Sequence, residues 1–294
     1  MARKQRNTFR QNTIAMVYDF DGTLTPLPMQ EYTILPKLGI SGEQFWGDVS
    51  KEVAATKGEP MLTYLRLLIE RIESNHQHLT RNDLRDLAGN IEYFPGVETW
   101  FPRVSDYVKK AGGGKVKIRH YVISAGLREI LDGISIKKHL AHVYASEYFF
   151  NHHGAATFPK VVITDTQKTQ FLFRINKGKE DVSDSINEYM PEDERPIPFQ
   201  NILYIGDGLT DVPSMTVTRK NGGHAIAVHR PRASKPVAVC KRLLEANRVD
   251  FFAPADYRKG RALERQVQTV LDLMVRRVMY DKAVFECRRS TRGT

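Results

Sequence analysis

The run Ile14-Ala15-Met16-Val17-Tyr18 is apolar throughout and stops abruptly at Asp19-Phe20-Asp21-Gly22-Thr23. A short apolar segment closed by a turn signal predicts a strand buried on both faces, as found in parallel sheets covered by helices. Alternating strand and helix signals resume after Pro95-Gly96-Val97. A helix is expected from there to about Lys110, broken by Ala111-Gly112-Gly113-Gly114, then a strand from Val116 to Ile123 ending at Ser124-Ala125-Gly126 and a short helix. Val143 to Phe150 and Thr157 to Ile163 flank His152-His153-Gly154 and predict a hairpin, with the His pair in its turn and not at a metal site. A helix from Lys168 towards Gly178 precedes a polar stretch, Asp181 to Pro198. Then come a strand from Asn201 to Ile205 ending at Gly206-Asp207-Gly208, a helix from about Thr210, a strand from His224 to Val228, a helix from about Ala233 to Ala246 and a short strand near Phe251. The last helix is expected over Arg261 to Met279, with Leu263, Val267, Val270, Leu271, Met274 and Val278 on its apolar face.

Between the first strand and this alternation, about Met29 to Asn90 carries helix signals and no strand pattern. Ser41 and Gln44 stand at capping-box spacing, Leu62, Leu65, Leu68, Ile69 and Ile72 form one stripe between Glu59 and Asn75, and Thr80-x-x-Asp83 opens a third helix. The expected architecture is a doubly wound parallel α/β core, residues 1–27 and 92–294, with an all-helical cap, residues 28–91, inserted after the first strand. Phe45, Trp46 and Tyr64 are expected in the core of that insert, or on a lid surface touching a leaving group.

With 294 residues, 41% of them hydrophobic and including 14 Phe and 12 Tyr, the chain can bury a core of this kind, which excludes disordered, collagen-like and disulfide-stapled classes. Two cysteines, Cys240 and Cys287, suit a reducing compartment. With no apolar stretch fit for export and no run near the ~18 residues of a spanning helix, the expectation is a cytoplasmic protein without a membrane partner. The net charge of +10 sits at the two ends. Arg3, Lys4, Arg6 and Arg10 stand among the first ten residues without an acid, and Arg258 to Thr294 holds ten basic against four acidic residues. A nucleic-acid groove should carry its charge in the body of the fold, which argues against one here. The ends are expected to be solvated, partly mobile segments, and leave contact with nucleic acid or another anionic surface open.

Ligands of open parallel sheets bind beyond the carboxyl ends of the strands. Three expected strands end in polar residues: Asp19-x-Asp21-Gly22-Thr23, Ser124, and Asp207-x-x-x-Asp211. Four carboxylates at one edge repel one another unless a cation lies between them. Hard oxygen donors of this kind suit Mg²⁺ with a substrate phosphate, and so point to phosphoryl chemistry. Singly, Asp-x-Asp-Gly and Gly-Asp-Gly are also ordinary turn fragments, and Ser124 is also a good helix N-cap. Their joint placement after apolar strands favours the site.

Asp19-Phe-Asp-Gly-Thr-Leu-Thr25, Ser124 in Val-Ile-Ser-Ala-Gly, and Gly206-Asp-Gly-Leu-Thr-Asp211 resemble the first, second and fourth motifs of the haloacid dehalogenase superfamily of phosphohydrolases. The helical insert resembles the phosphoserine-phosphatase-like branch with its small cap, and the likeness extends from about Ile14 to Tyr257. The resemblance implies Asp19 as nucleophile and Asp21 as acid and base. It further implies Mg²⁺ held by Asp19, by Asp21 through its backbone carbonyl, by Asp207, and by Asp211 directly or through water. Ser124, with Ala125 and Thr23, would bind the phosphoryl group, aided by the N-terminus of the following helix. A third-motif lysine is also implied. Lys160, Lys168 and Lys177 are the candidates. Lys168 is favoured because it follows an apolar strand at the start of a helix, and the 39 residues from it to Asp207 keep Lys177 open. Arg128 and Arg174 either contact phosphate or face solvent.

Asp21 argues for a phosphatase or phosphomutase over a dehalogenase or an ATPase pump. The implied activity is Mg²⁺-dependent hydrolysis of a small phosphorylated metabolite through an aspartyl-phosphate. The alternatives are a phosphomutase or a weakly catalytic, phosphate-binding regulatory module. Nothing in the insert names the substrate, and the oligomeric state is open.

Overall fold

The computed structural model describes residues 8–76, 79–231 and 233–291. Its strands are β1 (Thr13–Tyr18), β2 (Lys117–Leu127), β3 (His142–Phe150), β4 (Ala156–Val161), β5 (Ile202–Gly206), β6 (His224–His229) and β7 (Phe251–Pro254). They form one sheet of order β4-β3-β2-β1-β5-β6-β7, parallel except for the β3–β4 hairpin. β1 is central: Tyr18 lies in register with Val122 of β2 and Ile205 of β5, so the three strand ends that carry polar residues are immediate neighbours.

The helices are α1 (Met29–Tyr32), α2 (Ile34–Lys37), α3 (Gly42–Thr56), α4 (Pro60–Ser74), α5 (Arg81–Asp86), α6 (Val97–Ala111), α7 (Arg128–Leu131), α8 (Lys168–Lys177), α9 (Val212–Lys220), α10 (Ser234–Glu245) and α11 (Ala262–Ser290). The all-helical insert expected after the first strand is present as α1 to α5. Of these, α3, α4 and α5 start where a side chain can satisfy first-turn N–H groups. Ser41 Oγ accepts from the Gln44 N–H, the Glu59 carboxylate accepts from the Leu62 N–H at 2.7 Å with Pro60 next in line, and Thr80 and Asp83 complete a capping box.

Alternation along β1 divides the interior in two. Ile14, Met16 and Tyr18 pack with Trp100 and Phe101 of α6, Leu271 of α11 and Leu65 and Leu68 of the insert, whereas Ala15 and Val17 face Phe171 and Ile175 of α8, Met215 of α9 and Leu243 of α10. Inside the first layer, the Trp100 indole N–H donates to the Tyr18 hydroxyl at 2.9 Å, and that hydroxyl lies 3.1 Å from His120 Nδ1. Ser105 Oγ lies 3.1 Å from His120 Nε2. Burial pushes the His120 pKa down to about 3, so a neutral imidazole joins α6 to β1 and β2.

Several expectations need correction. β2 continues past Ser124 to Leu127, because pairing with β3 resumes at Leu127–Ser146 after a register shift. Leu62 does not join the buried stripe of Leu65, Leu68, Ile69 and Ile72; in the first turn of α4 it is 49% exposed. The C-terminal basic segment is no mobile tail: it is α11, which runs to Ser290 and buries Leu263, Val267, Leu271 and Met274. Phe9 packs its ring 5.8 Å from Phe285 of that helix. Arg3, Lys4, Arg6 and Arg292 lie outside the described residues. Cys240 is buried and Cys287 exposed, both as free thiols. Among the described residues, no helix is long and apolar enough to cross a membrane.

Gly96, just before α6, has φ +88°, and a Cβ there would lie 2.5 Å from the Arg258 backbone nitrogen. Gly96→Ala therefore combines left-handed strain with a backbone collision, and should lower the unfolding free energy by about 1–3 kcal/mol. A urea melt should show a lower midpoint at unchanged slope; an unchanged midpoint would mean that the two segments separate freely.

Candidate active site at the carboxyl edge of the sheet

β1 delivers Asp19 to the sheet edge, where its backbone N–H donates to the Ile205 carbonyl at 2.9 Å. The chain then turns tightly: the Thr23, Leu24 and Thr25 N–H groups all point to the Phe20 carbonyl, and the Gly22 N–H donates to the Thr25 carbonyl. Gly22 takes φ +81°, and a Cβ there would lie 2.2 Å from Asp207 Oδ2, so only glycine lets the turn close onto that carboxylate. The Asp21 side chain accepts from the Met29 N–H at the start of α1, at 2.8 Å.

Lys168 opens α8 and is buried beneath this turn. Its ammonium lies 2.8 Å from Asp19 Oδ1 and 2.9 Å from Asp211 Oδ1. Burial alone would lower the lysine pKa, but the two carboxylates outweigh it and hold the ammonium charged, well above its ordinary range. Asp211 is fully engaged: Oδ1 also accepts from the Tyr204 hydroxyl at 2.7 Å, and Oδ2 accepts from the Asp207 N–H at 3.1 Å. Carboxylate oxygens of Asp19, Asp207 and Asp211 lie within 4.8 Å of one another. Desolvation, reinforced by the Asp19 charge, pushes Asp21 up to about 8, while burial with Asp19 and Asp211 raises Asp207. Asp19 is raised less, since Lys168 opposes its burial.

The other candidates separate by geometry. Ser124 is fully buried, and its hydroxyl accepts from the Gly126 N–H at 2.9 Å. It is not a helix N-cap: α7 starts at Arg128, has four residues, and carries no side-chain cap at Leu127. The expected helix N-terminus beside Ser124 is therefore absent, and the nearby N–H groups belong to the end of β2. The Ala125 carbonyl accepts from the hydroxyls of Tyr64 and Ser146, both at 3.1 Å, which turns that peptide's oxygen away from the edge. Thr23 Oγ1 stands 3.4 Å from Asp19 Oδ2. Lys177 reaches the carbonyls of Ile186 and Glu188, and Lys160 is exposed beside Glu147; neither joins the acidic cluster. Arg174 neither faces solvent nor reaches the site, because its buried guanidinium donates to the carbonyls of Asp181, Val182 and Asp184. Arg128 pairs with Asp132 at 2.8 Å and donates to the Val143 carbonyl. Phe45 and Tyr64 are buried and Trp46 packs against them, as expected for the core of the insert.

Tyr204 was not singled out by the sequence, since it lies within an apolar strand. Its register with Val17 puts it on the α8 face, beside Asp211 and Lys168, and that pairing was the missing signal.

The family model of the haloacid dehalogenase-like hydrolases matches residues 16–216. The chain belongs to that family. An uncharacterized protein of Borreliella burgdorferi is 28% identical over an alignment of 290 positions that covers 90% of this chain and 99% of that one. Among solved structures, a phospho-aspartyl intermediate analogue of phosphoserine phosphatase is similar at TM-score 0.55 and 17% identity, over 88% of this chain and 99% of that one. A HAD family hydrolase of Salmonella enterica serovar Typhi is similar at 0.54 and 17%, over 85% and 69% respectively. At these identities the structural likenesses establish the fold. In this haloacid dehalogenase-like hydrolase, the end of β1 with Asp19, β2, β5 and Lys168 lie inside the matched region, whereas β6, α10, β7 and α11 lie beyond it.

An ammonium fixed between two buried carboxylates is costly to remove. Lys168→Ala should lower turnover on the order of 10²–10³-fold and destabilise the fold by about 3–5 kcal/mol. Lys177→Ala should keep wild-type turnover. Parallel steady-state assays and melts check the ranking, and equal, mild effects would remove Lys168 from the site.

Proposed function

We propose that this hydrolase cleaves a small phosphomonoester through an aspartyl-phosphate on Asp19. The observation that carries this reading is the Lys168 ammonium held against Asp19 and Asp211, with Asp21 two residues from the nucleophile and pushed towards its protonated form. We further propose residues 1–27 and 92–294 as the core and 28–91 as a cap over the site.

Three oxygen-rich side chains within 4.8 Å fit a hard divalent cation. Asp207 fits best, since its carboxylate receives no protein hydrogen bond among the described residues while it lies against the turn at Gly22. Asp19, Asp207 and the main-chain carbonyl of Asp21 would hold Mg²⁺. Asp211, with both oxygens occupied, would brace the set or hold a bound water. When bound, Mg²⁺ would offset the negative charge of the phosphoryl group.

The protein groups can then perform two displacements. Lys168 takes Asp19 Oδ1, which leaves Oδ2, with its long contact from Thr23, as the freer oxygen to attack phosphorus. As the P–O ester bond breaks, Asp21 gives its proton to the departing oxygen. The Asp21 carboxylate next takes a proton from water, whose oxygen attacks phosphorus and releases Asp19 with inorganic phosphate. Ser124 and the N–H groups around Ala125, with Thr23, would hold the phosphoryl oxygens. The likeness to phosphoserine phosphatases supports the reaction class, and a small phosphorylated substrate with it.

Asp19→Asn removes the nucleophile but keeps its size and a hydrogen bond to Lys168. Phosphate release across a panel of phosphorylated metabolites with Mg²⁺ should fall more than about 10³-fold; release near the wild-type rate would remove Asp19 as nucleophile.

The acids also set a pH dependence. Asp21 and Asp207 titrate near 3.9 when unfolded and higher when folded and metal-free. The folded chain then holds more protons than the unfolded chain, and stability falls as pH rises through this window. Metal-free protein should therefore melt at a lower temperature at pH 8 than at pH 5.5. Mg²⁺ should raise the melting temperature more at pH 8, where its ligands are ionised. Equal Mg²⁺ shifts at the two pH values, or none, would argue against this donor set.

A further inference from the structure

We infer that Tyr257, in the segment beyond the family match, is a positioning residue for the Asp19 nucleophile, an inference that rests on the reading of Asp19 given above. The segment between β7 and α11 runs back beneath the turn that follows Asp19. Tyr257 is fully buried there, and its hydroxyl donates to the Thr23 carbonyl at 2.8 Å. Thr23 is itself fully buried, so no water can replace that donor. Its hydroxyl makes the contact with Asp19 Oδ2, and at 3.4 Å a small rotation of the turn would lose it.

Tyr257 is well fixed for this task. Its N–H donates to the Pro95 carbonyl at 2.8 Å, and its own carbonyl accepts from Arg103, which also pairs with Glu264 at 3.1 Å. Its ring meets Trp100 edge-on at 5.2 Å, and Trp100 in turn bonds Tyr18, the residue before the nucleophile. Gly96 admits the Tyr257–Arg258 backbone where a Cβ could not fit. The neighbouring carbonyl of the turn, Leu24, accepts from the Phe94 N–H at 2.9 Å. Two consecutive carbonyls after the nucleophile are thus held by segments distant in sequence, and the Tyr257 hydroxyl is the side-chain member of the pair. The ring packs whether or not the oxygen is present, so the hydroxyl can be tested alone.

The experiment compares Tyr257→Phe, Thr23→Val, their double variant and Thr23→Ser, with Asp19→Asn run alongside. Each is assayed with para-nitrophenyl phosphate at saturating Mg²⁺ and melted in urea. Tyr257→Phe should lower kcat about ten- to hundredfold with KM within about twofold, as misplacement of a reacting group does. In the Thr23→Val background, the same change should alter kcat less than about twofold while lowering the urea midpoint as much as in wild type, because rate and stability then separate. Thr23→Ser, which keeps the hydroxyl, should recover most of the turnover that Thr23→Val loses, and this comparison stands if Tyr257→Phe fails to fold. Tyr107→Phe removes a hydroxyl bond from α6 to Asp272 of α11 and should leave kcat unchanged, excluding a general effect of loosening that helix. A kcat for Tyr257→Phe within twofold of wild type while Asp19→Asn is inactive would overturn the inference and leave the nucleophile assignment standing. An equal kcat loss in both Thr23 backgrounds would also overturn it. Turnover by Asp19→Asn would instead overturn the nucleophile assignment, and the inference with it.

Discussion

Charge crowding governs the carboxyl edge of this sheet. Asp19, Asp207 and Asp211 converge where β1 and β5 end, with Asp21 two residues on, and among the described residues one buried ammonium, Lys168, pairs with two of them. One cation cannot neutralise four acids, and burial, reinforced by this uncompensated charge, pushes Asp21 and Asp207 up. On the function proposed above, a divalent cation would meet the remaining deficit and the raised Asp21 carboxyl would serve as the acid. The fold holds this crowded edge because both layers of its interior grip β1.

That grip differs on the two faces. On the α8 side, polar groups continue into the interior: Lys168 leads to Asp211, and Asp211 to Tyr204 within β5. On the α6 side, Ser105, a neutral His120 and Trp100 back Tyr18, the residue preceding Asp19. The helical insert is attached through polar contacts as well as packing. Tyr64 of α4 donates to the Ala125 carbonyl, so the segment carrying Ser124 is fixed partly by a side chain from the insert.

Most of the core was readable because buried parallel strands advertise themselves as apolar runs ending in turn residues, and all seven strands were anticipated. The acidic residues and Lys168 were readable for a related reason: a polar residue directly after such a run has to lie at the sheet edge. What escaped depends on partners distant in sequence. β2 outlasts its apolar run because β3 pairs with Leu127 beyond Ser124. Arg174 is buried because residues 181 to 184 fold back to offer it carbonyls. The second half of α11 has no apolar stripe to mark it, and Tyr204 and Tyr257 resemble ordinary core aromatics until register and chain return supply their partners.

The fit of Gly22 against Asp207 carries a consequence for how such a chain can vary. With 2.2 Å between a hypothetical methyl at position 22 and the carboxylate, the two positions share one small volume although nearly the whole core separates them in sequence. A side chain at 22 would be admitted only after position 207 had shrunk or withdrawn, and a withdrawn residue 207 would leave the acidic cluster that it forms with Asp19 and Asp211. The opening turn and the last acidic loop are thus epistatically bound, and drift at either is confined to paths that change both together.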